Sequence, residues 1–148
     1  APMSMSLKGR TWVTRQDVHV DRIASAWLIR RYIDSEAQFK FVQAKNYTLL
    51  ADELRFDMFE AEFTHEGDMC TFEVLLSRFA LREPALVAIG QVVHDIDLKD
   101  NKFGREETAG IKALIAGVCV STSSDEERLT RGGAVFDVLF ESFRKPRA

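Results

Sequence analysis

T-W-V-T-R-Q-D-V-H-V-D-R-I-A-S-A-W-L-I-R-R-Y-I-D, residues 11–34, decides how this chain is read. Its first five residues carry β-branched and aromatic side chains at strand density, and they predict a strand over 11–15. Val20, Ile23, Trp27, Leu28, Ile29 and Ile33 then recur at helical spacing, nearly all round the axis. That pattern predicts a helix over 20–34 buried on most sides. A strand followed at once by a buried helix is the start of a mixed fold. Working outward, F-K-F-V (39–42) reads as a second short strand. Residues 58–65 alternate, with Phe59, Ala61 and Phe63 on one face and Glu60, Glu62 and Thr64 on the other, so they read as a third.

From residue 66 the pattern turns helical. E-G-D (66–68) is a turn before a short amphipathic helix, 71–79. Pro84 suits the first turn of a helix over 84–98, where its missing N–H has no intrahelical partner to lose. Ile111, Leu114, Ile115 and Val118 mark another helix. S-D-E-E (124–127) has the spacing of a capping box for a last helix that turns Leu129, Phe136, Leu139, Phe140 and Phe143 inward. Gly132-Gly133 interrupts it, and a bend or a close helix contact is expected there. The fold class is α+β: about three short strands in the N-terminal half packed with about five helices, the C-terminal half all helical. The chain reads as a tail over 1–10, in which Ala1-Pro2 before Met3 look like a cloning remnant, and one domain over 11–148.

Composition excludes several classes. At 148 residues, 46% hydrophobic and 29% charged, the chain is long enough for a real core. A net charge of −3, with no Lys/Arg run longer than two, argues against nucleic acid, which needs a concentrated cationic face. The start has no apolar leader region, and no apolar run approaches the roughly 20 residues of a membrane helix. Cys70 and Cys119 form no CxxC and read as small core residues, so a reducing, cytoplasmic setting is expected. Cys70, close in sequence to His65, is also a candidate soft ligand.

The chemistry-bearing residues are few. His65 continues the apolar face of the strand expected at 58–65, and His19 is in line with Ile23, Ala26 and Arg30. On the helix 84–98, turning about 100° per residue, His94 lies at the edge of the apolar arc, Asp97 falls inside it, and Asp95 points to water. A lone histidine bordering a core is most often a hydrogen-bonded structural residue. Asp21 and Glu73 in first helical turns are accounted for by the helix dipole, and Asp100 by turn chemistry. Taken together, however, His19, His65, His94 and Asp97 make a ligand set suited to Fe, Mn or Zn, with Asp21 and Glu73 as second choices. Arg22 and Arg30, with Arg15 just ahead, offer an anion site near a helix N-terminus. Surface ion pairs with Asp17, Asp21 or Asp34 are the plainer explanation for these arginines.

Three blocks, H-V-D-R-I-A-S-A-W-L-I-R-R-Y-I-D (19–34), H-E-G-D-M-C-T-F-E (65–73) and V-H-D-I-D-L-K-D (93–100), resemble the signature blocks of the bacterial chromate-resistance family of the ChrB type. The resemblance runs over about residues 11–143. It implies a part in tolerance to chromate, in some members as the C-terminal part of a longer regulator of chromate-resistance genes. With the ligand set, the protein expected from this reading is a metal-binding stress protein acting on oxyanions or reactive oxygen species, in one version a metal-dependent redox enzyme whose catalytic residues are not identified. The alternative is an oxyanion-sensing domain without catalysis. The partners expected are a metal ion and chromate or another small oxyanion, with no nucleic acid, no membrane and a possible second copy of the chain.

Overall fold

The computed structural model describes residues 7–145. Three parallel strands, β1 (Thr11–Arg15), β2 (Gln38–Val42) and β3 (Glu53–Arg55), form a sheet in the order β2-β1-β3. Five helices accompany it: α1 (Val20–Leu28), α2 (Thr71–Arg78), α3 (Pro84–Leu98), α4 (Thr108–Ser121) and α5 (Asp125–Arg144). The chain is therefore α+β with a helical C-terminal half. No helix among the described residues is long and apolar enough to cross a membrane.

β1 is central because it is apolar on both faces: Trp12, Val13 and Thr14 are all fully buried. Parallel neighbours need a crossover, and α1 supplies it. Its last turn continues as a π-helical turn, Ile29–Ile33, which ends at Asp34. Asp34 is fully buried and satisfied by four donors: the N–H groups of Gly9 (2.6 Å), Arg10 (2.8 Å) and Glu36 (3.1 Å), and Trp12 Nε1 (3.0 Å). Burial raises its pKa, but these bonds outweigh burial and hold the carboxyl below its ordinary range. One aspartate thus ties the segment ahead of β1 to the end of the crossover. Of the tail expected at 1–10, residues 1–6, with Ala1-Pro2, lie outside the described residues.

The third strand is not where the alternation put it. β3 is Glu53–Arg55, in register with Thr11–Val13. Residues 58–65 are irregular and meet the sheet at single points: a bridge between Phe56 and Phe63, Phe63 N donating to the Arg55 carbonyl (3.2 Å), and Glu62 accepting from Arg55 N (2.6 Å). Phe63 is buried, but Phe59, expected on the same face, is 80% exposed. The alternation there reflects a turn with single inward anchors rather than an extended strand.

The core lies between α1, the sheet and α3, closed by α2 and α5. Gly132 serves close contact: a Cβ there would meet Ile23 Cγ2 of α1 at 2.5 Å. The Ser124 side chain accepts from Glu127 N (3.1 Å), as a capping box requires, while the Glu127 carboxylate reaches back to Ser123 N (3.2 Å). Phe136, Leu139 and Phe140 are buried, and Leu129 and Phe143 are packed partly against the core.

Candidate functional site

α1 begins beside a cleft of about 800 Å³, lined by Arg15 at the end of β1, by His19 and Arg22 of the α1 start, and by Lys45 from the loop after β2. A second cavity of about 470 Å³ shares Arg15 and Arg22 and continues past Asp57, Phe59 and His65. The two arginines are thus the common wall of one two-armed depression. Arg22 is anchored: its Nε donates to the Asp57 carbonyl (3.0 Å) and lies 3.6 Å from the Asp57 carboxylate. Asp57 is itself fixed, its carboxylate accepting from Thr71 Oγ1 (3.0 Å). Among the described residues several other cations face carboxylates, as in Arg31–Asp137, Arg55–Glu62 and Lys102–Asp68. Arg15 and Lys45 have no ion pair among the described residues, although Asp17 shares their cleft. The first arm thus sets Arg15, Arg22 and Lys45 against Asp17, and the second sets the two shared arginines against Asp57 and Glu60.

Behind this wall lies a group of carboxylates. Asp21 is buried under α1, where it accepts from Thr71 N (2.9 Å), Phe72 N (3.0 Å) and Ser25 Oγ (3.3 Å). It therefore sits at the N-terminus of α2, not only at that of its own helix. Burial, then repulsion from Asp57 and Asp97, pushes its pKa far above the carboxylate range, against the pull of the two N–H bonds. Asp97 is also raised, by partial shielding from water and by Asp57, while Arg22, His65 and His94 draw it down. Asp21, Arg22, Asp57, His65 and Asp97 therefore share one electrostatic neighbourhood.

The helical arc over 84–98 is read correctly for its apolar members but reversed at its carboxylates. Asp95, expected to face water, is buried and caps the turn that follows, accepting from Phe103 N (3.1 Å) and Gly104 N (2.8 Å). Asp97, expected inside the arc, is exposed. His94 is fully buried. Its Nδ1 lies 2.6 Å from Glu73 Oε1 and its Nε2 2.9 Å from Asp100 Oδ2, with Phe103 edge-on at 5.0 Å. Two acceptors on one ring require both nitrogens to carry hydrogen, which is the imidazolium form. Burial of the ring opposes that charge, but Glu73 and Asp100 outweigh it and raise the pKa. Asp100, assigned to turn chemistry alone, is thus the second half of a clamp.

The four residues expected to hold a metal are placed as follows. His19 is exposed at the N-cap of α1, its Nδ1 3.6 Å from Cys119 Sγ. His65 is exposed on the second arm of the cleft. His94 is clamped as described, and Asp97 is exposed, within electrostatic reach of Arg22, His65 and His94. Among the described residues, the ligand atoms that gather within 4.8 Å of one another belong instead to His94, Asp95 and Asp100. Those atoms are already spent on hydrogen bonds. Glu73, a second choice, accepts from Cys70 N (2.9 Å) as well as facing His94. Cys70 is buried, and burial, Asp21 and Glu73 all push its thiol pKa up, so it is an inert core residue.

Arg30, paired with Arg22 in the sequence reading, lines a different groove of about 310 Å³ between α1 and α5. Its guanidinium lies over Phe39 at 4.7 Å and donates to the Ala37 carbonyl (2.9 Å). Arg22 and Arg30 do not share a cavity. The residues that sequence reasoning missed are Asp57 and Lys45. Neither carries a local signal, since both act through loops whose positions come from elsewhere in the fold.

The chain matches the family model for the ChrB C-terminal domain over residues 12–143. It is 40% identical over 141 residues to Protein ChrB of Cupriavidus metallidurans (strain CH34), a match covering 95% of this chain and 43% of that protein. The chain thus spans less than half the length of this relative. No solved structure matches it. With a match over nearly all of the fold just described, the chain belongs to the ChrB C-terminal domain family.

Proposed function

We propose that this domain is an oxyanion receptor within a chromate-resistance system, holding a tetrahedral dianion of the chromate or sulfate type between Arg15, Arg22 and Lys45. One observation carries the reading. In a chain of net charge −3, two cations with no ion pair among the described residues and a third fixed by Asp57 border the same cleft, with Asp17 the carboxylate that lines it. A guanidinium anchored through Nε keeps its two terminal N–H₂ groups for a ligand, and its planar fork suits an oxyanion edge. The start of α1 on the same wall adds the positive end of a helix. No bond is made or broken in this role; the domain reports occupancy. Each charge-assisted hydrogen bond contributes about 1.5–3 kcal/mol, so Arg22→Ala should weaken binding by roughly 10- to 150-fold.

Isothermal titration with chromate, and with sulfate as competitor, tests this. Saturable binding that weakens with added salt and collapses in Arg22→Ala supports the reading. Absence of heat with every oxyanion at millimolar concentration overturns it.

A second reading rests on a separate observation. Burial first, and then repulsion from neighbouring carboxylates, raises the pKa values of Asp21 and Asp97 beside Asp57. A divalent Fe, Mn or Zn ion drawing in His65, Asp57 and Asp97, whose donor atoms are not gathered within 4.8 Å of one another without it, would relieve that repulsion and supply a redox or hydrolytic centre beside the arginines. In this version His19 and His94 are not ligands. Thermal melts with Mn²⁺, Fe²⁺ or Zn²⁺ and with chelator separate the two, because a ligand that binds only the folded state raises the melting temperature. Melts unmoved by any metal remove this reading and leave the first intact.

A further inference from the structure

The cleft is built for more than a bare oxyanion. Its cationic arm is a solvent-open depression of about 800 Å³, and the open arm past Arg22 measures about 470 Å³. Cavities of several hundred cubic ångströms hold organic ligands, whereas a tetrahedral oxyanion displaces only a few waters of about 30 Å³ each. The second arm also has a different character. Met58 and Phe59 enter it from the turn after β3, beside Thr64 and His65. Phe59 is 80% exposed, while Met58, its neighbour, is buried. A phenyl ring in water is ordinarily a cost.

The turn that carries Phe59 is braced rather than loose. Asp57 N donates to the Phe63 carbonyl (2.7 Å), Ala61 N to the Met58 carbonyl (3.1 Å), and the Asp57 carboxylate accepts from Thr71 Oγ1 (3.0 Å). Asp57 and Glu60 both adopt the left-handed backbone region, with φ of 49° and 58°. Non-glycine residues enter that region at a cost when surrounding structure holds them there. These bonds hold an exposed aromatic ring on the lining of a cavity that Arg15 and Arg22 share with Asp57, Glu60 and His65.

We infer that the ligand of this cleft is an anion joined to a flat ring, of the class of a nucleoside monophosphate, with the anionic group among Arg15, Arg22 and Lys45 and the ring stacked on Phe59. This rests on the reading of the cleft as an anion receptor and adds its ligand class. Stacking of a base on an aromatic side chain tolerates many rings, because every ring offers a π face. The gain over the anion alone is expected to be about tenfold or more.

The test is calorimetric titration of the full chain with inorganic phosphate, adenosine monophosphate and riboflavin monophosphate, in wild type and in Phe59→Ala. Phe59 makes few packing contacts, and a matching melt of the variant checks that it folds. The expected result is that at least one ring-bearing probe binds tenfold or more tightly than phosphate. That advantage should vanish in Phe59→Ala while phosphate binding is unchanged. The inference is overturned if neither ring-bearing probe exceeds phosphate, or if the advantage survives in Phe59→Ala; either result leaves the anion receptor standing. If phosphate, chromate and both ring-bearing probes all fail to bind, the receptor reading falls and this inference falls with it.

Discussion

His94→Gln should reveal a stability that exists only while the histidine is charged. The ring is fully buried, and its bond to Glu73 is 2.6 Å long, with the Glu73 side chain 17% exposed. A charge-assisted bond of this kind contributes about 1.5–3 kcal/mol, and a neutral amide in its place about half as much. The bond to Asp100 faces solvent and is screened, so it adds direction more than energy. Loss of the ring also leaves a small void beside Phe103. The variant should therefore lose about 2 kcal/mol at pH 6. The sign with pH follows from the raised pKa of His94. Its contribution is fully present below the unfolded value near 6.5 and is lost as pH rises through the folded pKa. Each unit by which the fold raises that pKa is about 1.4 kcal/mol. Urea denaturation of both proteins at pH 6, 7, 8 and 9 reads this directly. The gap between them should be widest at pH 6 and close toward pH 9. Asp21, whose pKa is also raised, makes both proteins less stable as pH rises, and it cancels in the difference. A gap that stays constant from pH 6 to 9 would refute the charged clamp.

Gly132→Ala and Gly117→Ala make a matched pair. Both gain about 1 kcal/mol of helix propensity, but the first must push Ile23 aside from a 2.5 Å approach, while the second meets nothing within 4 Å. Gly117→Ala should raise the urea midpoint, and Gly132→Ala should lower it through a net loss of about 1–2 kcal/mol of stability; equal midpoints would dismiss the close contact of α1 with α5. Asp34→Ala removes the acceptor of four donors and should cost about 3–5 kcal/mol by thermal melt. Because Asp34 titrates below the ordinary range, its contribution is present above about pH 4 and lost as pH falls through its folded value. The wild-type advantage should therefore shrink on acidification toward pH 2, and an advantage independent of pH would show that Asp34 is not held as a carboxylate.

The residues alone determined what local periodicity and chain chemistry can determine. The strand at Thr11–Arg15, the helix starting at Pro84 and the capped start of α5 were legible, because each depends on a few neighbours along the chain; at Gly132 the sequence offered a bend or a close contact, and Ile23 of α1 decided for the contact. The three signature blocks, read as blocks, led to the right family. The candidate site was legible in part: Arg15, Arg22, His19 and His65 do border one depression. Tertiary structure decided the rest, and the cause is the same each time. A helical arc marks which residues lie near the apolar edge, but the edge that is covered depends on what folds over it. The turn carrying Phe103 and Gly104 came back over Asp95, so Asp95 was buried and Asp97 was left in water. The alternation at 58–65 was real, yet β1 could accept only a strand in register on its free side, and that strand was Glu53–Arg55. The joining of His94 to Asp100 and Glu73, and of Arg22 to Asp57, follows from segments far apart in the chain. Ion-pair choice depends on distance in space, and no spacing along a sequence encodes it.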